Sequence, residues 1–238
     1  MLRTMPLPTC ALVLPLIALN TAIHASVVDE FTAGDFSDNR FQPTSIALSP
    51  GLTTIRGQSG LSPVPDIADL DYVTITVPAQ HRLERFMLSA ASVGGAFSFV
   101  GIEAGSIISI PADWTNVNNP LLGWTHFGSA DVGMDLLPLM ATAPGSMGFT
   151  PPLLAGAYTL WIMELDTSEA HRYEFQACVE PICIGDATDD GTVDGTDLAA
   201  VLALWGTTGT TPADLDASGT VDGADLSILL GAWGPCAG

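Results

Sequence analysis

Residues 186–206 read DATDDGTVDGTDLAAVLALWG and residues 214–234 read DLDASGTVDGADLSILLGAWG, one phrase repeated at an interval of 28 residues. Each copy runs oxygen-bearing side chains around a glycine, then an apolar stretch that closes on Trp-Gly. A repeat of this length marks one duplicated supersecondary unit. A single copy would read as a solvated acidic turn, because Asp and Gly are ordinary turn formers. Two copies in register, each with Gly followed two residues later by Val193 or Val221, point to a ligand.

The oxygen spacing fits the twelve-residue EF-hand loop. The first copy sets Asp186 at position 1, Thr188 at 3, Asp190 at 5, Gly191 at 6, the Thr192 carbonyl at 7, Asp194 at 9 and Asp197 at 12. The second copy sets Asp214, Asp216, Ser218, Gly219, Thr220, Asp222 and Asp225 at the same places. Ca²⁺ takes about six to eight oxygens at roughly 2.3–2.6 Å, and a loop curled around it turns alternate residues inward. Glycine at position 6 permits the sharp turn. Two bound Ca²⁺ are therefore expected, and their charge would hold together carboxylates that otherwise repel. Asp at position 12, one methylene shorter than Glu, must be drawn closer or ligate through one oxygen. Thr188 and Ser218 put a neutral hydroxyl where a carboxylate or amide is usual, at different positions, so the two sites should differ in affinity.

After each loop the periodicity becomes helical. Leu198, Val201, Leu202 and Trp205 fall at i, i+3, i+4 and i+7, and Leu226, Leu229, Leu230 and Trp233 repeat the pattern. Thr196 or Asp197 can cap the first helix and Asp225 the second, with Gly206 and Gly234 placed to end them. Helices of two to three turns are marginal alone, so the two apolar faces, both tryptophans included, are expected to bury one another.

Residues 185–236 resemble type I dockerin domains, in the duplicated loop with Asp at 12, the single helix after each loop, and the short TTGTTPA connection at 207–213. The resemblance implies two Ca²⁺ sites and attachment to a cohesin-like or cell-surface partner. In that family loop positions 10 and 11 and basic helix residues contact cohesin. Here those positions hold Gly195, Thr196, Gly223 and Ala224, and the module has no Lys or Arg.

The chain opens MLRTMPLPTCALVLPLIALNTAIHA, with a short basic start, an apolar core from Ala11 to Leu19, and Ile-His-Ala before Ser26. This reads as a cleaved secretory signal over 1–25. The apolar run is too short, and too interrupted by proline, for a membrane helix, and no second span follows, so secretion or cell-surface display by bacterial export is expected. Loss of Arg3 leaves 26 acids against five arginines and no lysine, a charge of −21. Such a chain repels nucleic acid and anionic membranes. The cysteines after the signal are Cys178, Cys183 and Cys236. Export makes disulfides plausible, and a duplicated module brings its ends together, which favours a Cys183–Cys236 clasp. A Cys178–Cys183 pair is the alternative.

Residues 26–177 follow another grammar, with 178–184 as linker and the module at 185–238. Val73, Ile75 and Val77 alternate with Tyr72, Thr74 and Thr76 before a Pro78 stop; AYTLWIM at 157–163 is apolar on both faces and should be central; Tyr173, Phe175, Ala177 and Val179 alternate again. Shorter runs at 86–88, 97–102 and 107–110 complete a mainly β pattern of about eight or nine strands, a β-sandwich of jelly-roll or Ig-like type followed by the small α-helical EF-hand-like module. DLDYVTITVPA at 69–79 and LLAGAYTLWIMEL at 153–165 resemble bacterial pre-peptidase C-terminal domains, which are β-sandwiches appended to secreted proteins and not catalytic themselves.

No HExxH, GxSxG, GxxxxGK or GxGxxG phrase occurs. His81, His126 and His171 are dispersed, and Trp114, Trp124 and Trp161 suit packing better than a sugar-binding face. The expectation is a secreted, non-catalytic calcium-binding protein whose sandwich is attached through the module to an extracellular or surface assembly. A dockerin-bearing accessory protein or hydrolase of polysaccharide breakdown is the alternative.

Overall fold

The computed structural model describes residues 25–61, 68–92, 98–110, 120–164, 170–209 and 211–236. The signal-like segment before Ala25, Phe97 and Trp114 lie outside them. The chain divides into two compact units, one ending at Glu180 and the other beginning at Pro181. No helix among the described residues is long and apolar enough to cross a membrane.

The first unit is mainly β. Strands β1 (Ala25–Asp29), β2 (Thr44–Ala47), β3 (Gly51–Leu61), β4 (Ala68–Ala91), β5 (Ser98–Ala104), β6 (Gly123–Phe127), β7 (Leu153–Glu164) and β8 (Ala170–Pro181) form an eight-stranded mixed sheet. Its order is β1-β3-β8-β4-β7-β5-β6, with β2 also on β4. β1 runs parallel to β3 and β2 parallel to β4, while the other registered pairs are antiparallel. Short helices α1 (Glu30–Ala33) and α2 (Leu137–Ala141) punctuate it.

Period-two alternation builds two cores from one sheet. Val73, Ile75 and Val77 of β4, Leu160 and Ile162 of β7, and Val100 and Ile102 of β5 join the larger cluster with Phe86, Phe127 and Phe175. The intervening Tyr72, Trp161 and Phe99 form a second cluster with Ile108, Ile110 and Leu121. Trp161 lies opposite Tyr72 in register and edge-on to Phe99. β7 pairs with β4 on one side and β5 on the other, as the doubly apolar AYTLWIM run requires.

The structure departs from expectation at three places in this unit. Pro78 does not stop its strand: β4 continues to Ala91, because a register shift between Val77 and Arg82, with Gln80 at φ 60°, places the proline in an irregularity that needs no N–H. Residues 107–110 are not a strand. They cover the second core as loop, with the Ile108 N–H donating to the Arg40 carbonyl. β8 also reaches Pro181, so Cys178 is a buried strand residue opposite Leu52 and not part of a linker.

In the second unit, β9 (Thr192–Val193) pairs antiparallel with β10 (Gly234–Pro235), and α3 (Gly195–Ala203) and α4 (Gly223–Gly231) follow the two loops. Each helix tail pairs with the other loop: Gly206 N–H donates to the Val221 carbonyl, and Cys236 N–H to the Gly191 carbonyl. Cys183 and Cys236 are disulfide-bonded with their Cα atoms 5.5 Å apart.

The helices bury a different stripe from the one the sequence suggests. Val193, Val201, Ala213, Val221 and Leu229 form the core, whereas Leu202, Trp205, Leu230 and Trp233 are 53%, 48%, 55% and 51% exposed. For the tryptophans the reason is helix length. Both helices end before their tryptophan, at C-caps Leu204 and Ala232. The i+7 position is therefore not on the helix, and the buried row runs Asp197–Val201 and Asp225–Leu229. The N-caps are Asp194 and Asp222, with Asp197 and Asp225 at N3 of reciprocal capping boxes, and not Thr196, Asp197 or Asp225.

Candidate metal centre

The two loops repeat their backbone as faithfully as their sequence. Asp189 and Ala217 both sit at φ 55°, and Gly191 and Gly219 at φ 88° and 85°, the left-handed conformation that position 6 needs. Asp186 carboxylate oxygens accept from the N–H groups of Asp190 (3.0 Å) and Gly191 (2.8 Å), and Asp214 Oδ2 accepts from Gly219 N–H (2.9 Å). The first ligand position thus pins each turn.

Position 12 organises the rest. Asp197 and Asp225 are fully buried. Asp197 Oδ1 accepts from the N–H and hydroxyl of Thr188, both at 3.0 Å, and its Oδ2 from Asp194 N–H at 2.8 Å. Asp225 Oδ1 accepts from Leu215 and Asp216 N–H, and its Oδ2 from Asp222 N–H at 2.7 Å. Burial pushes Asp197 up, but these hydrogen bonds outweigh it and hold the carboxyl below the usual range. The Asp222 N–H does the same for Asp225, against burial. Both carboxylates are kept ionised, the form a cation requires.

Asp186, Asp190 and Asp197 bring ligand atoms within 4.8 Å of one another, as do Asp214, Asp216 and Asp225. The first loop uses positions 1, 5 and 12 and the second 1, 3 and 12, each taking its third carboxylate from the position that Thr188 or Ser218 leaves to aspartate. Among the remaining sequence candidates, Thr188 is turned to Asp197, and the Ser218 hydroxyl donates to the Thr220 carbonyl at 3.2 Å. Asp194 and Asp222 cap helices through Thr196 and Ala224 N–H. Thr192 N–H donates to Asp190. A carboxylate triad in a loop of oxygens suits a hard cation.

The body offers no comparable catalytic assembly among the described residues. His81, His126 and His171 sit on β4, β6 and β8, and none joins a metal-ligating group. Trp124 donates to the Pro144 carbonyl and stacks on Phe99, and Trp161 is buried. One concentration of side chains escaped the sequence reading: Glu30, Asp35, Asp38, Asp69 and Asp71 converge at the start of β4. The Asp-x-Asp spacing at 69–71, which sets two carboxylates on one strand face, was its sole local signal.

No family model and no curated protein matches the chain. Among solved structures it is similar to the pre-peptidase C-terminal domain of a collagenase from Bacillus anthracis, at 13% identity and a TM-score of 0.25, over 68% of this chain and 100% of that one.

Proposed function

We propose that the chain is an exported, non-catalytic protein in which a β-sandwich body is attached to an extracellular or cell-surface assembly through a dockerin-like module that binds two Ca²⁺. The observation that carries this reading is the pair of carboxylate triads, one per repeat, each built around a buried, ionised position-12 aspartate. Four large apolar side chains left on the module surface, Leu202, Trp205, Leu230 and Trp233, favour a protein partner over a purely structural cap. The absence of basic residues from the module argues that this partner is gripped by apolar contact and not by the charge pairs of cohesin recognition.

Calorimetric titration of the full chain tests the metal. The two loops are expected to take one equivalent each, and changing Asp186 and Asp197 to Ala should remove one of them. Pull-down from an extracellular extract, with calcium and with chelator, tests attachment. A chain that binds no Ca²⁺ overturns the reading. Calcium-independent capture would reassign the module as a structural cap.

A further inference from the structure

Each exposed tryptophan of the module stands at the entry to a tail that is zipped onto the other repeat's metal loop. After Trp205 the chain runs beside the second loop. Gly206 N–H donates to the Val221 carbonyl at 2.8 Å, Val221 N–H to the Thr207 carbonyl at 3.1 Å, and Gly209 N–H to the Gly219 carbonyl at 2.9 Å. Thr208 is bridged antiparallel to Thr220 between them. After Trp233 the chain runs beside the first loop. Gly234 pairs with Val193 and Pro235 with Thr192, again antiparallel, and Cys236 N–H donates to the Gly191 carbonyl at 3.1 Å. In both cases the residues contacted are positions 6 to 8 of the twelve-residue loop.

Alternation decides what each of those positions does. Along an antiparallel pair, hydrogen-bonded and non-hydrogen-bonded residues take turns. Gly219 and Val221 turn their carbonyls to the tail. The Thr220 carbonyl between them is turned into the loop, where it accepts from the Ser218 hydroxyl at 3.2 Å. In the first loop, Thr192 lies between Gly191 and Val193 and opposite Pro235, which has no N–H to give its carbonyl. Position 7 is the backbone oxygen that a calcium loop offers to its ion. An ion drawn onto that oxygen therefore fixes the two residues that grip the tail on either side of it, and the tail carries the tryptophan.

The two tails differ in how they are fastened. Cys236 is bonded to Cys183, and the Cys183 carbonyl accepts from the N–H of Asp186, the first residue of the first loop, at 3.3 Å. The tail after Trp233 is thus tied covalently to the start of the loop it lies on. The tail after Trp205 contains no cysteine and meets the second loop through backbone hydrogen bonds, with Thr207, Thr208 and Gly209 exposed. We infer that the apolar face of the module has a preformed half and a calcium-made half: the disulfide sets Trp233 whether or not the first loop is filled, whereas Ca²⁺ in the second loop sets Trp205, which belongs to the other repeat. The inference rests on the calcium module proposed above and adds which loop controls which ring. A partner gripped by apolar contact meets Trp233 at every calcium level and gains Trp205 when the second loop fills, so its affinity follows the second loop and not the first.

The test uses the full chain labelled with 5-fluorotryptophan, and Ca²⁺ alone. Fluorine NMR reads the five tryptophans separately, and Trp205→Phe and Trp233→Phe assign the two of interest. In the oxidised chain Ca²⁺ should shift the Trp205 resonance and leave that of Trp233 in place. Asp216→Asn removes one charge at an exposed carboxylate of the second triad. It should raise the Ca²⁺ concentration at half-change by about tenfold or more, since ligand charge count sets such affinities. Asp190→Asn, at an exposed carboxylate of the first triad, should leave the Trp205 response where it was. After reduction of the disulfide, Trp233 should become calcium-sensitive, now through Asp190. A Trp205 response that follows Asp190→Asn, or a Trp233 response as large in the oxidised chain, overturns the inference and leaves the proposed function intact. So does calcium binding at the second loop, seen by calorimetry, with no change at Trp205, and so does a Trp233 resonance that ignores Ca²⁺ after reduction. A module that binds no Ca²⁺ overturns both.

Discussion

Reducing the Cys183–Cys236 disulfide isolates how much of the module is held by covalent closure. The bridge spans 53 residues of separation. Chain-entropy closure of a loop that size removes about 14 cal/mol/K from the unfolded ensemble, or about 4 kcal/mol at 25 °C. Against that stand five buried apolar residues, Val193, Val201, Ala213, Val221 and Leu229. A unit under about 70 residues rarely draws more than roughly 3–5 kcal/mol from such a core. Reduction in chelator is therefore expected to bring the module close to its unfolding midpoint. Calcium offsets the loss, since a ligand at 100 times its Kd contributes about 2.7 kcal/mol per site. Hydrogen exchange by mass spectrometry reads the module apart from the body within one intact chain. Amides of α3 and α4 should lose protection by up to about 10³-fold on reduction in chelator, the equivalent of that 4 kcal/mol, and regain most of it in saturating Ca²⁺, while β4 and β7 are unaffected. Protection unchanged by reduction in chelator would refute the argument and show that the core alone holds the module.

Other expectations concern single residues. Trp205→Ala and Trp233→Ala should each change urea stability by less than about 0.5 kcal/mol, because both rings are exposed, yet weaken calcium-dependent capture in a pull-down. Phe175 is fully buried against Phe86, Phe127 and Tyr173, so Phe175→Ala should cost about 3–5 kcal/mol in urea unfolding of the body. Glu174 is pushed up by burial, but hydrogen bonds from Ser89 and Arg56 outweigh this and hold it below its ordinary 4.5. Its folded-state pKa is thus depressed, so its contribution is full above 4.5 and is lost as pH falls through the folded value. Glu174→Gln should flatten the acid limb of a pH-stability curve and leave the alkaline limb unchanged.

How far the sequence reaches follows from how local each feature is. The convergence of the loop carboxylates was legible because the whole spacing falls within twelve residues and the repeat supplies its own control; Asp186, Asp190 and Asp197 meet as their spacing says. The Cys183–Cys236 pairing followed from duplication, which returns the module's end to its beginning. Strands of strict alternation, such as 73–77 and 173–179, were equally plain, because a period of two is a property of neighbours. The orientation of α3 and α4 was not. In part it turned on where each helix ends: the last helical residues, Ala203 and Gly231, lie two before Trp205 and Trp233, and that stop exposes rings that periodicity places in the core. Pro78 misled for a similar reason, since whether a proline ends a strand depends on whether its partner strand leaves room for an irregularity. The acidic cluster of the body lay furthest from view. Its members are separated by up to 41 residues, between Glu30 and Asp71, and only the crossing of the 34–38 segment over β4 gathers them. Apart, five carboxylates in turns and strand starts are solvated and unremarked; folding buries Glu30, Asp69 and Asp71 side by side, and that happens only in three dimensions.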